Sequence, residues 1–132
     1  MFKPGDQVLT TVKVTDEMVR KFAEVSGDFN PMHLDDAYAA TTRFKRRIAH
    51  GMLGAALISR ALGTKLGPGG IYLSQTLKFL NPIFIDDEVV IDLLVTGLRA
   101  EKGIGTVATV IRKTNGDIVI KGEAMIMAAE NV

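Results

Sequence analysis

A carboxylate and an imidazole stand five positions apart in the segment Ser26-Gly27-Asp28-Phe29-Asn30-Pro31-Met32-His33-Leu34. Pro31 blocks a helical Asn30 and carries no amide hydrogen, so a rigid, irregular loop is expected over Asp28 to Leu34. A loop of that length can fold so that Asp28 and His33 converge on one small space. Their ordinary pKa values, about 3.9 and about 6.5, straddle what acid/base work at neutral pH needs, and a water held between them could be activated. Spacing alone leaves the ordinary alternative open, in which Asp28 caps a turn and His33 is a satisfied core or surface histidine.

The chain has one further histidine, in Ile48-Ala49-His50-Gly51-Met52, directly before a long apolar stretch. Amides in the first turn of a helix beginning there are unpaired and carry the positive end of its dipole. Such amides suit a developing oxyanion, and Gly51 would let a ligand approach the backbone closely. The alternative, Gly51 as a packing residue and His50 as a helix cap, also stays open at this level.

The elements that must position these residues are legible in outline. Gln7 to Val14 is rich in β-branched residues after a Pro-Gly-Asp turn and reads as a strand. Thr15 reads as an N-cap, followed by Asp16 and Glu17 in a first turn and by Met18, Phe22 and Val25 at helical spacing, to an end near Ser26-Gly27. Asp35 to Thr41 reads as a short helix and Thr42 to Ile48 as a basic loop. From Gly51 to about Leu66 the sequence is apolar on nearly every side, so this helix must be wrapped by something, and Gly51, Gly54, Ala55, Ala56 and Ala61 keep it slim. Four strands follow, Ile71–Phe79, Glu88–Leu98, Gly105–Lys113 and Ile118–Ala128, separated by Gly67-Pro68-Gly69-Gly70, by Asn81-Pro82 and by a hairpin turn at Asn115-Gly116. The pattern is α+β: a curved antiparallel sheet of about five strands around a central apolar helix, the hot-dog arrangement, in one domain over residues 1–132.

Composition narrows the function classes. The chain has 132 residues, 47% hydrophobic and 23% charged, which is ordinary for a globular protein. Its 16 Lys+Arg against 15 Asp+Glu give a net charge of +1, so no global field draws in nucleic acid. Without cysteine there is no disulfide, no thiolate catalysis and no Cys-ligated zinc. The first residues lack the features of a signal peptide and no apolar run reaches membrane-span length, so a cytoplasmic protein without membrane association is expected.

Three blocks together closely resemble the MaoC-like R-specific enoyl-CoA hydratases: Ser26 to Asp35, then Ala39-Ala40-Thr41-Thr42-Arg43-Phe44, then Ile48 to Leu53. Ile71 to Phe79 and Pro82 to Val89 extend the resemblance, which runs from about Pro4 to Ala128. The resemblance implies reversible syn addition of water to a trans-2-enoyl thioester, giving the R-3-hydroxyacyl thioester, with no metal and no cofactor beyond the coenzyme A of the substrate. It carries Asp28 and His33 over as the pair that binds the attacking water, Gly51 as amide donor to the thioester oxygen, and Ser59 as a supporting serine. Ser59 reads equally as a helix hydroxyl bonded to a backbone carbonyl. Asn30 more naturally shapes its loop than takes part in chemistry.

The acyl tail is expected along the central helix, with Leu62, Leu66, Phe79 and Leu80 as walls. Arg43, Lys45, Arg46 and Arg47 put four cations into five positions. They read first as a solvated face, and otherwise as partners for the phosphates of coenzyme A or for an acidic carrier protein. Arg47 stands where members of that family often carry proline, which leaves open how stiff the loop entering the site is. Open sheet edges imply a homodimer with active sites near its interface. Competing readings are a carrier-protein dehydratase, a hydratase of branched or dicarboxylic acyl-CoA, a thioesterase, or a non-catalytic module that binds acyl thioesters.

Overall fold

The computed structural model describes residues 2–66 and 69–129, with Lys65 and Leu66 described by backbone alone. The described elements run β1 (Gln7–Lys13), α1 (Asp16–Ser26), α2 (Pro31–Leu34), α3 (Asp36–Ala40), α4 (Gly51–Ala61), a π-helical turn (Leu62–Leu66), β2 (Ile71–Phe79), β3 (Glu88–Arg99), β4 (Ile104–Lys113) and β5 (Ile118–Met127). The five strands form one antiparallel sheet in the order β1-β3-β4-β5-β2. The hairpin joining β4 to β5 closes as the Asn-Gly turn requires, with Lys113 N–H donating to Asp117 O at 2.8 Å and Gly116 N–H to Lys113 O at 2.9 Å.

Alternation along the strands supplies the core. Val89, Ile91, Leu93 and Val95 of β3 and Val107, Thr109 and Ile111 of β4 point inward and are buried, while their neighbours face outward. Leu53, Leu57, Ile58 and Ala61 of α4 meet this face. Gly54 lets the helix close in: a Cβ there would fall inside van der Waals contact with Ile120 Cδ1 of β5. The buried Thr109 hydroxyl accepts a hydrogen bond from Gln75 Nε2 at 2.9 Å.

Two expectations need correction. The loop after Asp28 contains a one-turn helix, α2, because proline is well suited to the first helical position, where its missing amide would have had no partner. Asn30 does shape this segment, its side-chain oxygen accepting from Met32 N–H at 3.2 Å. And α4 is sheathed on one side only. Met52, Ala56 and Ser59, at helical spacing, stay exposed, as do Ile71, Tyr72, Leu73 and Phe79 on the edge strand β2 beside them. Among the described residues no helix is long and apolar enough to cross a membrane.

Candidate active site

Thr15 starts α1, its hydroxyl accepting from Met18 N–H at 3.2 Å. The helix ends where Gly27 N–H closes onto Ala23 O at 2.8 Å. Asp28 follows at once. Its amide donates to Ser26 Oγ at 3.1 Å, and its carboxylate accepts from Asn30 N–H at 3.1 Å, so the side chain is held in a short turn while remaining exposed.

His33, on α2, is 8% exposed. Its Nδ1 lies 2.7 Å from the carbonyl oxygen of Ile48. A carbonyl can only accept, so Nδ1 carries the proton and Nε2 presents a lone pair. Burial pushes the His33 pKa below its ordinary value; the Ile48 carbonyl opposes this, His50 adds to it and the Asp28 carboxylate opposes it. A neutral imidazole with a free Nε2 is the form able to take a proton.

His50 is 2% exposed and packs between aromatic neighbours, its ring centroid 4.0 Å from that of His33 and 4.9 Å from that of Phe22. It occupies the N-cap position of α4, yet its side chain makes no capping bond. Instead Nε2–H donates to the Asp28 carbonyl oxygen at 3.0 Å, while Nδ1 has no partner among the described residues. His50 is therefore a strut between the start of α4 and the Asp28 turn. One ligand atom from each of Asp28, His33 and His50 lies within 4.8 Å of the other two. The two imidazoles, however, are stacked and inclined by only 31°, so their in-plane lone pairs do not converge within the roughly 2.0–2.1 Å of a metal–nitrogen bond.

These residues open onto a cavity of about 440 Å³ whose walls are mainly apolar, with Phe44, Ile48, Met52, Phe79, Leu80 and Ile83 among its lining. Gly51 lines the same cavity. Its amide and that of Met52 find no acceptor among the described residues; the first amide of α4 to be paired is that of Leu53, to His50 O at 3.1 Å. The cavity is thus lined by Asp28, by His33, whose Nε2 is free, and by the two residues whose amides begin α4 unpaired.

The remaining expected site residues divide. Arg43 lines the cavity and its guanidinium lies 4.7 Å from the Phe44 ring centroid. Arg46 does not line it; it packs over the Phe84 ring at 3.8 Å, with Lys113 at 4.7 Å from the same ring. Phe79 and Leu80 are cavity walls, whereas Ser59 and Leu62 are not. Eight and eleven residues along a helix that rises ~1.5 Å per residue put them at its far end, where they line a separate cleft of about 160 Å³ with Ile71 and Tyr72. The Leu66 side chain lies outside the described residues. Reading the sequence also missed Phe22, which packs on His50, and Arg47, which is buried although it belongs to the run of cations.

Residues 2–116 match the family described as MaoC like domain. The chain belongs to this family. An (R)-specific enoyl-CoA hydratase of Aeromonas caviae is 50% identical over 109 residues, 82% of this chain and 81% of that protein. One from Rhodospirillum rubrum is 45% identical over 126 residues, covering 95% and 87%. The solved structure of the (R)-hydratase from A. caviae involved in PHA biosynthesis superposes with a TM-score of 0.93 at 44% identity, over 96% of this chain and 97% of that one. The MaoC-like hot-dog architecture expected from the sequence is the one present.

Proposed function

We infer that this protein is an (R)-specific enoyl-CoA hydratase, a hydro-lyase that adds water reversibly to a trans-2-enoyl-CoA. The observation that carries the reading is the placement of an exposed carboxylate and a histidine with a free Nε2 in one cavity with the unpaired amides that begin α4. Asp28 and His33 Nε2 are both acceptors, and a water has two protons to give. Bound to both, it turns an oxygen lone pair outward toward the substrate. The thioester oxygen sits at the amides of Gly51 and Met52.

The water oxygen then bonds to the β-carbon, the π electrons of the double bond move toward the thioester oxygen, and the Asp28–His33 pair takes one water proton. Collapse of the enolate takes a proton from that pair at the α-carbon, on the face that received the oxygen. One water and no electrons are exchanged, so the reading calls for neither a redox cofactor nor a metal. The acyl chain lies against Phe79 and Leu80, and Arg43, at the cavity, is the cation of the basic run assigned to the phosphates of coenzyme A.

The active assembly in this reading is a homodimer. The open edge of β2, with Ile71, Tyr72, Leu73 and Phe79 exposed, runs beside the uncovered stripe of α4, and a second copy would cover both. The test of the reaction follows loss of the conjugated enoyl-thioester absorbance on adding purified protein, with chiral analysis of the product. An R-3-hydroxyacyl-CoA product is expected; an S product, or no loss of absorbance across short and medium chains, overturns the reading.

A further inference from the structure

The short stretch Arg47-Ile48 touches His33 and its neighbour at three points. Ile48 N–H donates to Met32 O at 3.3 Å, the Ile48 carbonyl accepts from His33 Nδ1–H at 2.7 Å, and Arg47 Nε–H donates to His33 O at 2.8 Å. The last of these fills a gap left by the fold. His33 lies one residue from the end of the four-residue helix α2, and the chain turns at Asp35, where backbone angles are extended, so no helical amide follows to take the His33 carbonyl.

The guanidinium that takes it is 7% exposed, and its outer nitrogen donates to Asp16 Oδ1 in the first turn of α1. Asp16 is itself held from the other side by Arg20 Nε at 3.0 Å, and the Asp36 carboxylate lies 3.9 Å from Arg47 Nη1. These bonds, led by the one to Arg47, hold the Asp16 carboxyl below its ordinary pKa. The planar fork of arginine suits this task, because two donors on one rigid group fix two acceptors relative to each other. The stretch is anchored beyond the site as well, since Ile48 bridges to Phe84 and Ala49 N–H donates to Ile83 O at 2.7 Å.

We propose that Arg47 is a positioning residue for the reaction: its guanidinium clamps the backbone of His33 against α1, so that the bond from His33 Nδ1–H to Ile48 O is kept and Nε2 stays the acceptor. Its place in catalysis rests on the hydratase reading, but the clamp itself does not. Arg47 lines no part of the cavity, so it acts through His33 and not on the substrate.

The test uses the full chain carrying Arg47→Met, which keeps an unbranched apolar stem as far as the Nε position and removes the fork, alone and combined with His33→Ala. Arg47→Met is expected to lower kcat about 10- to 50-fold with KM within about twofold, as displacement of a catalytic group by a fraction of an ångström does. In the His33→Ala background it should lower kcat no further. A purely structural role would lower both backgrounds alike and overturn the proposal.

Nitrogen-edited NMR of the imidazoles gives a readout independent of turnover. The wild type should show His33 as the Nδ1–H form, and Arg47→Met a mixture of both tautomers. An unchanged single tautomer overturns the clamp whether or not the enzyme hydrates enoyl-CoA. Asp16→Asn, which leaves Arg47 in place but removes its charged partner, serves if Arg47→Met does not fold; it should give a smaller shift in the same direction, and no shift counts against the proposal.

Discussion

Gly51→Ala tests whether the thioester oxygen sits at the start of α4. A Cβ built on Gly51 lies 2.8 Å from both Cδ1 and Cε1 of Phe79. Carbon atoms rest at about 3.5 Å or more, so the ring must retreat by roughly 0.7 Å. Phe79 ends the edge strand β2 and is 53% exposed, which lets it swing aside. Replacing a glycine in a backbone that alanine accepts also restricts the unfolded chain, for a gain of about 0.4–1 kcal/mol. The two effects oppose each other, and thermal or urea unfolding should move by less than about 1 kcal/mol.

Activity should respond quite differently. The Cα–Cβ bond of a helical residue tilts toward the helix N-terminus, the side on which its amide is unpaired, so the new methyl stands beside the path of the substrate oxygen. Removing one oxyanion donor costs about 10²–10³ in kcat, and misplacing a reacting group by ~1 Å costs up to about 10². Here the donors remain and the oxygen is displaced, so kcat/KM should fall about 10- to 100-fold in the enoyl-thioester absorbance assay. The double variant Gly51→Ala/Phe79→Ala separates the methyl from the moved ring; it should stay impaired, because the methyl remains. A folded Gly51→Ala enzyme within about twofold of wild type would refute the placement of the oxygen at these amides.

Asp28→Asn and His33→Ala should each lower kcat by about 10² or more in the same assay, with unfolding transitions still cooperative; full turnover in both removes the site assignment. Burial holds the His33 pKa below its ordinary 6.5, so the acid limb of kcat/KM should lie below pH 6.5. Between the folded value and 6.5 the unfolded chain binds more protons. The stability associated with neutral His33 is therefore complete above pH 6.5 and is lost as pH falls through the folded pKa, a slope that urea titrations should find reduced in His33→Ala. Gly54→Ala forces Ile120 from its seat and should cost about 1–3 kcal/mol in urea unfolding. Leu73→Lys places a charge on the β2 edge and should shift sedimentation toward the monomer; a wild type that sediments as a monomer sinks the dimer.

Much of the frame was legible because it rests on local signals. The strands read at Glu88–Leu98 and Gly105–Lys113 are β3 and β4 to within a residue, Asn115-Gly116 marked the final hairpin, and Thr15 with its two acidic successors marked the start of α1. The errors came where one signal carried two meanings. Pro31 reads as a helix breaker, yet in the first helical position it begins α2. An apolar helix surface reads as wrapped, but the stripe of Met52, Ala56 and Ser59 is left uncovered by the described residues. Arg47 sits in a run that reads as a solvated face, and only the folded chain shows that one of the four cations turns inward. Ser59 and Leu62 lie on the right helix but too far along it to meet Asp28.

The features that make the site chemically able are the ones a residue pattern cannot encode, because they belong to the backbone. His33 is a base at Nε2 because the Ile48 carbonyl claims its Nδ1 proton, and His50 braces the Asp28 turn because the Asp28 carbonyl claims its Nε2 proton. Each carbonyl comes from the segment carrying the other histidine or leading to it, so the two imidazoles and the two loops fix one another reciprocally. Protonating His33 would set a buried cation against the ring of His50 at 4.0 Å, with little solvent to screen it. The neutral state of His33 is thus a property of the whole arrangement, and a sequence that kept Asp28 and His33 but let residues 47–50 drift would keep the motif and lose the base.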